Sequence, residues 1–244
     1  MVLAGIDLAW QSNKNPTAIA CGEITHNVLS LTTIHPAVYG IESVLSVING
    51  VDALKGIAID ASLIIKNKHG MRQCEREIGR HYGSKGAACH ATNTILYPNA
   101  DSVCLSEQLL KSGFKHLGSK QWQIECYPHP ALIEIFSLSK RLKYKKGKVA
   151  DKRAGQIKLA ALLYCINLTT ARFSLKLVIT DPVSQVLNES KIQPLKGQAL
   201  KTNEDALDAI VCLYIAGLHA INHRGKTFGD LDLGYIWVPS GSLL

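Results

Sequence analysis

Short apolar runs alternate with amphipathic stretches along most of this chain. Residues 2–9 form the first run, which ends Gly5-Ile6-Asp7-Leu8-Ala9. Its length predicts a buried strand with a single acid near its end. Residues 11–16 are polar and carry a turn signal. Residues 17–24 and 28–35 are β-prone runs separated by Thr25-His26-Asn27, which predicts a hairpin. The chain therefore opens as a three-stranded antiparallel meander. Ile41, Val44, Leu45 and Ile48 then repeat at helical spacing. Gly56-Ile57-Ala58-Ile59-Asp60 reads as a fourth buried strand, again with one acid at its end. A helix between two strands implies a crossover and a parallel neighbour.

Residues 61–120 are less regular, with a polar helix at 71–82, a flexible loop at 83–86 and a second helix at 101–113. No Pro/Ser-rich linker or repeat marks a boundary, so this region reads as an elaboration packed against the sheet. Trp122-Gln123-Ile124-Glu125-Cys126-Tyr127 is a fifth strand, and Pro128-His129-Pro130 stops it and opens a helix to about 138. A helix follows at 152–168, then a short strand or helix end at 175–180, and a helix and loop at 182–201. The tail, 222–244, is Gly-rich and is expected to pack back as irregular structure. The expected architecture is one α/β domain over 1–244, a mixed five-stranded sheet flanked by helices with an inserted helical elaboration.

The chemistry starts at Thr202-Asn203-Glu204-Asp205-Ala206-Leu207-Asp208, which leads into an almost wholly apolar helix running to Ile221. Thr202 with Asp205 resembles a capping box. Asp205 and Asp208 are three apart and share one helix face. Such a helix should be buried, and buried acids need compensation, for which a divalent cation is suited. The competing explanation places both in a wet first turn, where acids favour the helix dipole.

Composition changes this picture in one place. Of a net charge of +8, residues 140–153 supply +7, through Lys140, Arg141, Lys143, Lys145, Lys146, Lys148, Lys152 and Arg153 against Asp151 alone. A local basic segment on a near-neutral body points to a polyanion partner, nucleic acid above all; the plain alternative is a solvated loop and helix start. The seven scattered cysteines contain no CxxC pair, so reduced thiols are expected. His69, Cys74, His81, Cys89 and His90 could be drawn as a zinc site, but at no standard spacing. No apolar run is long enough to span a bilayer, and no signal-peptide pattern opens the chain. A soluble, cytoplasmic protein without membrane attachment is expected.

Three strands thus each deliver one carboxylate near their end, Asp7, Asp60 and Glu125, and the late helix delivers Asp205 and Asp208. Each alone has a structural explanation. Together they lie where sheet-based sites form, and they cannot all ionise without cations. Two divalent ions, Mg2+ or Mn2+, would neutralise them. The arrangement resembles the ribonuclease H-like fold, and Asp205-x-x-Asp208 resembles the RuvC-type resolvase version of that site. More closely, Gly5-Ile6-Asp7, Ile59-Asp60-Ala61, Glu125-Cys126-Tyr127-Pro128 and Asp205-Ala206-Leu207-Asp208-Ala209 resemble the family called domain of unknown function 429. That family is described as predicted ribonuclease H-like nucleases. It tends to carry Arg and acidic residues after the second motif, as Arg72, Glu75, Arg76 and Arg80 do here.

The resemblance implies a two-metal phosphodiester hydrolase. Asp7 would bridge the ions, with Asp60 and Asp205 or Asp208 completing the shells and Glu125 as a further ligand or an orienting residue. The basic segment would hold the nucleic-acid backbone, with Tyr144 as its one aromatic. His129 would either shuttle protons or pack at the strand end. Resolvases of this fold act as dimers, which leaves a homodimer open. Two other classes compete. One is a non-catalytic nucleic-acid-binding or adaptor module on the same fold. The other is a small-molecule phosphotransferase of the actin and sugar kinase type, which shares the opening strand and hairpin but needs a Gly-rich phosphate loop not evident here.

Overall fold

The computed structural model describes residues 1–10, 13–167 and 173–241. The first apolar run forms β1 (Val2–Asp7), paired on both edges, antiparallel to β2 (Thr17–Thr25) and parallel to β4 (Leu54–Asp60). A strand with neighbours on both edges and helices over both faces has no wet side, which explains the unbroken apolar run. β3 (Val28–Val38) completes the meander, and α1 (Ile41–Asn49) crosses over to β4. β6 (Trp122–Glu125) lies parallel beside β4.

Two edge strands extend these five. β5 (Lys115–His116) joins β6, and β7 (Lys176–Ile179) joins β3. The order is β5-β6-β4-β1-β2-β3-β7, a seven-stranded mixed sheet where five strands were expected. β5 is too short to carry a periodic signal, and it belongs to the elaboration, together with α2 (Gln73–Tyr82) and α3 (Asp101–Lys111). α4 (Pro128–Ile135) follows β6, and α5 (Val149–Cys165) follows the basic segment. Leu168, the expected end of that helix, lies outside the described residues, as do Gln11 and Ser12 of the expected turn and residues 242–244. A 3-10 turn (Asp181–Leu187) and α6 (Glu189–Ile192) lead into α7 (Gly197–Ala220).

The tail is not irregular. It forms an antiparallel hairpin of β8 (Gly225–Asp230) and β9 (Gly234–Pro239). Gly229 and Gly234 stand at φ of 76° and 105° around its turn, so the glycines that suggested irregular structure are what the turn requires. Phe228, Ile236 and Val238 of the hairpin pack on Cys74, Ile78 and Tyr82 of α2.

α7 lies across one face of the sheet, and every one of residues 203–218 is buried. α1 and α3 cover the other face through Val44, Ile48, Leu105 and Leu109. Gly5 sets how close α7 comes to β1: a Cβ there would stand 1.9 Å from the Leu213 nitrogen and 2.4 Å from the Ala209 carbonyl oxygen. No helix among the described residues is long and apolar enough to cross a membrane. Backbone cannot step aside as a flexible side chain can, so Gly5→Ala is expected to cost about 3 kcal/mol or more. That is a fall of about 6–12 °C in the thermal midpoint for a chain of this size. Gly79→Ala on α2, where nothing lies within 4 Å, should leave the midpoint unchanged or raise it. Equal midpoints for the two variants in thermal melts would contradict the close packing of α7 on β1.

Candidate functional site

β1 and β4 run in register with Asp7 opposite Asp60. Each is the last residue of its strand, so two carboxylates leave the sheet side by side. Side chains alternate faces along a strand. Leu3 and Ala58 pack into the core under α7, and Asp7 and Asp60, an even number of residues further on, turn to that same face.

Asp208 meets them from α7. This helix begins at Gly197, about a turn and a half before Thr202. The expected capping start at Thr202 is therefore corrected: Asp205 and Asp208 lie in the helix interior, 4% and 0% exposed. The dipole effect fades beyond the first turn, so it does not account for them.

The counter-charge is Lys145. Its ammonium stands 2.6 Å from Asp208 Oδ2 and 4.0 Å from Asp60 Oδ2. The Tyr144 hydroxyl donates to Asp208 Oδ1 at 2.6 Å. Within the basic segment Leu142 and Tyr144 are buried while Lys143 between them is exposed. Gly155 of α5 seats this stretch, since a Cβ there would lie 2.0 Å from the Lys143 carbonyl oxygen. Tyr144 is fully buried, so it is not a stacking aromatic, as expected from the sequence; it orients an acid.

Burial pushes the Asp7 carboxyl well above the usual carboxylate range, against the pull of Lys145 and reinforced by Asp208, Asp60 and Asp205. Burial likewise pushes Asp60 up to about 7, opposed by Lys145 and helped by Asp208, although 20% of its side chain remains exposed. Burial alone would lower Lys145, but Asp208, Tyr144, Asp7 and Asp60 outweigh it and hold the ammonium charged. One ammonium leaves this group of acids short of positive charge.

Glu125 is not brought to the cluster. It pairs with Ile59, one residue before Asp60, and so turns to the opposite face. Its carboxylate accepts from Arg72 Nη1 and Nη2 at 2.9 and 2.6 Å and from the Leu63 amide at 2.9 Å. Arg72 Nε also meets Glu75 Oε1 at 2.8 Å, and all three residues are buried. This is a paired structural network, in which each charge depends on its partner. Asp205 lies one turn before Asp208, its Oδ1 2.6 Å from Lys201, which also meets Glu204 at 2.8 Å.

The other basic residues are divided: Arg141, Lys143 and Lys146 line a cleft at this site, while Arg153 lies with Glu189 and Gln193. Lys140, Lys143, Lys146 and Lys148 are exposed, Arg141 and Lys152 are half-buried, and Arg153 Nε donates to the Leu195 carbonyl at 2.6 Å. His129 at the start of α4 sits edge-on to Tyr127 and Tyr144. Burial, with Lys145 adding to it, pushes its imidazolium down to about 4, so the ring is neutral at neutral pH. Its Nδ1 is buried without a hydrogen-bond partner. The cleft, of about 500 Å3, opens above Asp60 and Lys145. Among the described residues no three His, Cys, Asp or Glu side chains close on one metal position. The histidines and cysteines of the drawn zinc site are dispersed, with Cys74 buried and His69, His81 and His90 exposed.

The fold and the site together define a mixed α/β protein with three aspartates gathered at the carboxyl edge of its central strands. The chain matches the model of the family described as "Protein of unknown function (DUF429)" over residues 5–230, and it belongs to that family. Comparisons with curated proteins and with solved structures gave no match.

Folded Asp60 titrates at about 7 against an ordinary 3.8, and Asp7 shifts the same way, so the folded state binds more protons between these values. Their contribution to stability is therefore favourable at low pH and is lost as pH rises through about 7. In EDTA, Asp60→Asn should gain stability relative to the wild type as pH goes from about 4 to 8, read by urea unfolding. A difference that stays constant with pH would contradict the crowded cluster.

Proposed function

We propose that this protein is a ribonuclease H-like nuclease that hydrolyses phosphodiester bonds of nucleic acid with Mg2+ or Mn2+. The observation that carries the reading is the convergence of Asp7, Asp60 and Asp208 with more negative charge than Lys145 balances. The order of elements supports it: a three-stranded meander, a crossover helix, a fourth strand ending in an acid, and a late helix with two more. The donors suit the cations in kind, since carboxylate oxygens fit hard divalent ions; as they stand, no three of them among the described residues close on one position, so binding draws the side chains together. Asp208 Oδ2 has no hydrogen-bond partner beyond its ion pair with Lys145. Burial makes Asp7 and Asp60 hold protons tightly, against the pull of Lys145 and with the neighbouring acids adding to it.

Asp7, Asp60 and Asp208 would hold two ions, with Asp205 adding negative charge behind Asp208. The bound ions would supply an activated water and charge balance at the scissile phosphate. The other duties fall to the chain. Asp7, beside Asp60 and under Asp208, is the acid best placed to be shared. Tyr144 orients Asp208. Lys145 keeps mutually repelling acids assembled. Lys143 and Lys146, which line the cleft, would hold phosphates without reading sequence. His129, neutral, can accept a proton.

One observation favours a second reading. Lys145 already neutralises part of the cluster, as it would in a non-catalytic nucleic-acid-binding module whose acids are structural. The phosphotransferase alternative has no comparable support.

Purified protein with Mg2+ or Mn2+ should cleave at least one of single strands, duplexes, RNA–DNA hybrids and four-way junctions. Asp7→Asn and Asp208→Asn should each lower the rate by about 100-fold or more with the fold retained. Salt-sensitive binding without cleavage would support the second reading. Full activity in both variants would move the site elsewhere.

A further inference from the structure

The cleft above Asp60 carries more chemistry than cation binding needs. Its volume, about 500 Å3, is that of a site for a small organic molecule rather than a groove laid along a duplex. Asp60 lines it, while Asp208 lies fully buried beneath. Asp60 is the member of the cluster that the cleft presents to a phosphodiester.

Two kinds of side chain line the cleft. One is Trp10, just past the end of β1. It is 44% exposed, whereas Trp122 and Trp237 are 4% and 6% exposed. Its ring is braced by Tyr97, with centroids 4.5 Å apart and planes at 37°. A large indole left in water but held in place is a platform for another flat ring. Arg141, Lys143 and Lys146 from the basic segment line the cleft too. His129 also lines it, with its Nδ1 buried and unpartnered, an atom that gains from meeting a polar partner.

An exposed indole, a group of cations and an unpartnered polar atom in one cleft match how unpaired nucleic acid is held. Bases stack on the aromatic while the backbone follows the charges. A duplex has its base faces already stacked and offers Trp10 nothing. We infer that the cleft binds a single-stranded nucleic-acid segment, an end or an unpaired loop, with one base stacked on Trp10 and its phosphates on Lys143 and Lys146. This rests on the nuclease reading of the aspartates and names the substrate class for it.

The test uses the full chain in Ca2+ with fluorescein-labelled oligonucleotides of about ten nucleotides. DNA and RNA single strands are compared with the same sequences as blunt duplexes. At least one single strand should bind about tenfold or more tighter than its duplex, and binding should quench tryptophan emission. Trp10→Ala should lose about tenfold of that affinity with an unchanged thermal midpoint. Lys146→Ala, a second exposed position, should weaken binding and flatten its salt dependence. Duplex binding as tight as single-strand binding, single-strand binding unaffected by Trp10→Ala, or no binding of either would each overturn the inference. Binding through Trp10 with no cleavage in Mg2+ or Mn2+ would uphold it and sink the nuclease reading. Cleavage of duplexes indifferent to Trp10 would do the reverse.

Discussion

Asp7, Asp60 and Asp208 repel one another in a place that water reaches only in part, and the sheet edge is built around that repulsion. Crowded acids are relieved by a proton or by a cation: at the effective dielectric of a protein surface two unit charges about 4 Å apart interact by roughly 4 kcal/mol. The fold leaves the acids no room to separate. Parallel register places Asp7 opposite Asp60. Gly5 lets the α7 backbone at Ala209 and Leu213 press onto β1, which carries Asp208 down onto the strand ends. The chain answers with Lys145, delivered by a segment whose Tyr144 is driven inward and whose backbone rests on Gly155. Burial leaves Asp7 and Asp60 holding protons more tightly than free carboxylates do, against the pull of that ammonium.

The two faces of the sheet divide the acids between two jobs. Asp60 faces α7 and the open cluster. Glu125 is paired one residue out of step and faces the other way, into Arg72 and Glu75. Thr92 donates to Glu75, and Arg72 donates to Ser62, which tightens this network along the cleft. The β8–β9 hairpin packs against the outside of α2, which carries Glu75. The elaboration between β4 and β6 therefore gives the cleft a densely hydrogen-bonded wall in which Arg72 meets both Glu75 and Glu125, while Lys145 is the cation that meets Asp60 and Asp208.

Much of this was legible in the sequence because acids inside apolar runs stand out. Asp7 and Asp60 each end a strand of mostly buried residues, and Asp208 interrupts an apolar helix. Glu125 gave the same signal but a different outcome, since a shift of one residue in strand pairing reverses a side chain's face and no local pattern reports pairing register. Lys145 was visible only as one of eight basic residues. The alternation of Leu142 and Tyr144 with lysines is the signal that this stretch has an inward side. The true start of α7 was hidden because Thr202 imitates a cap, although Ala199 and Leu200 before it suit a helix equally well. The hairpin was missed because its glycines mark a turn as readily as an irregular tail.

The most direct measurement is an anomalous difference map from crystals grown with Mn2+. If the aspartates form a cation site, peaks will lie about 2.0–2.2 Å from carboxylate oxygens of Asp7, Asp60 and Asp208, with the Lys145 ammonium moved away from Asp208. A map with no peak there at saturating Mn2+, and with Lys145 still paired to Asp208, would contradict the claim that this cluster is built to hold metal.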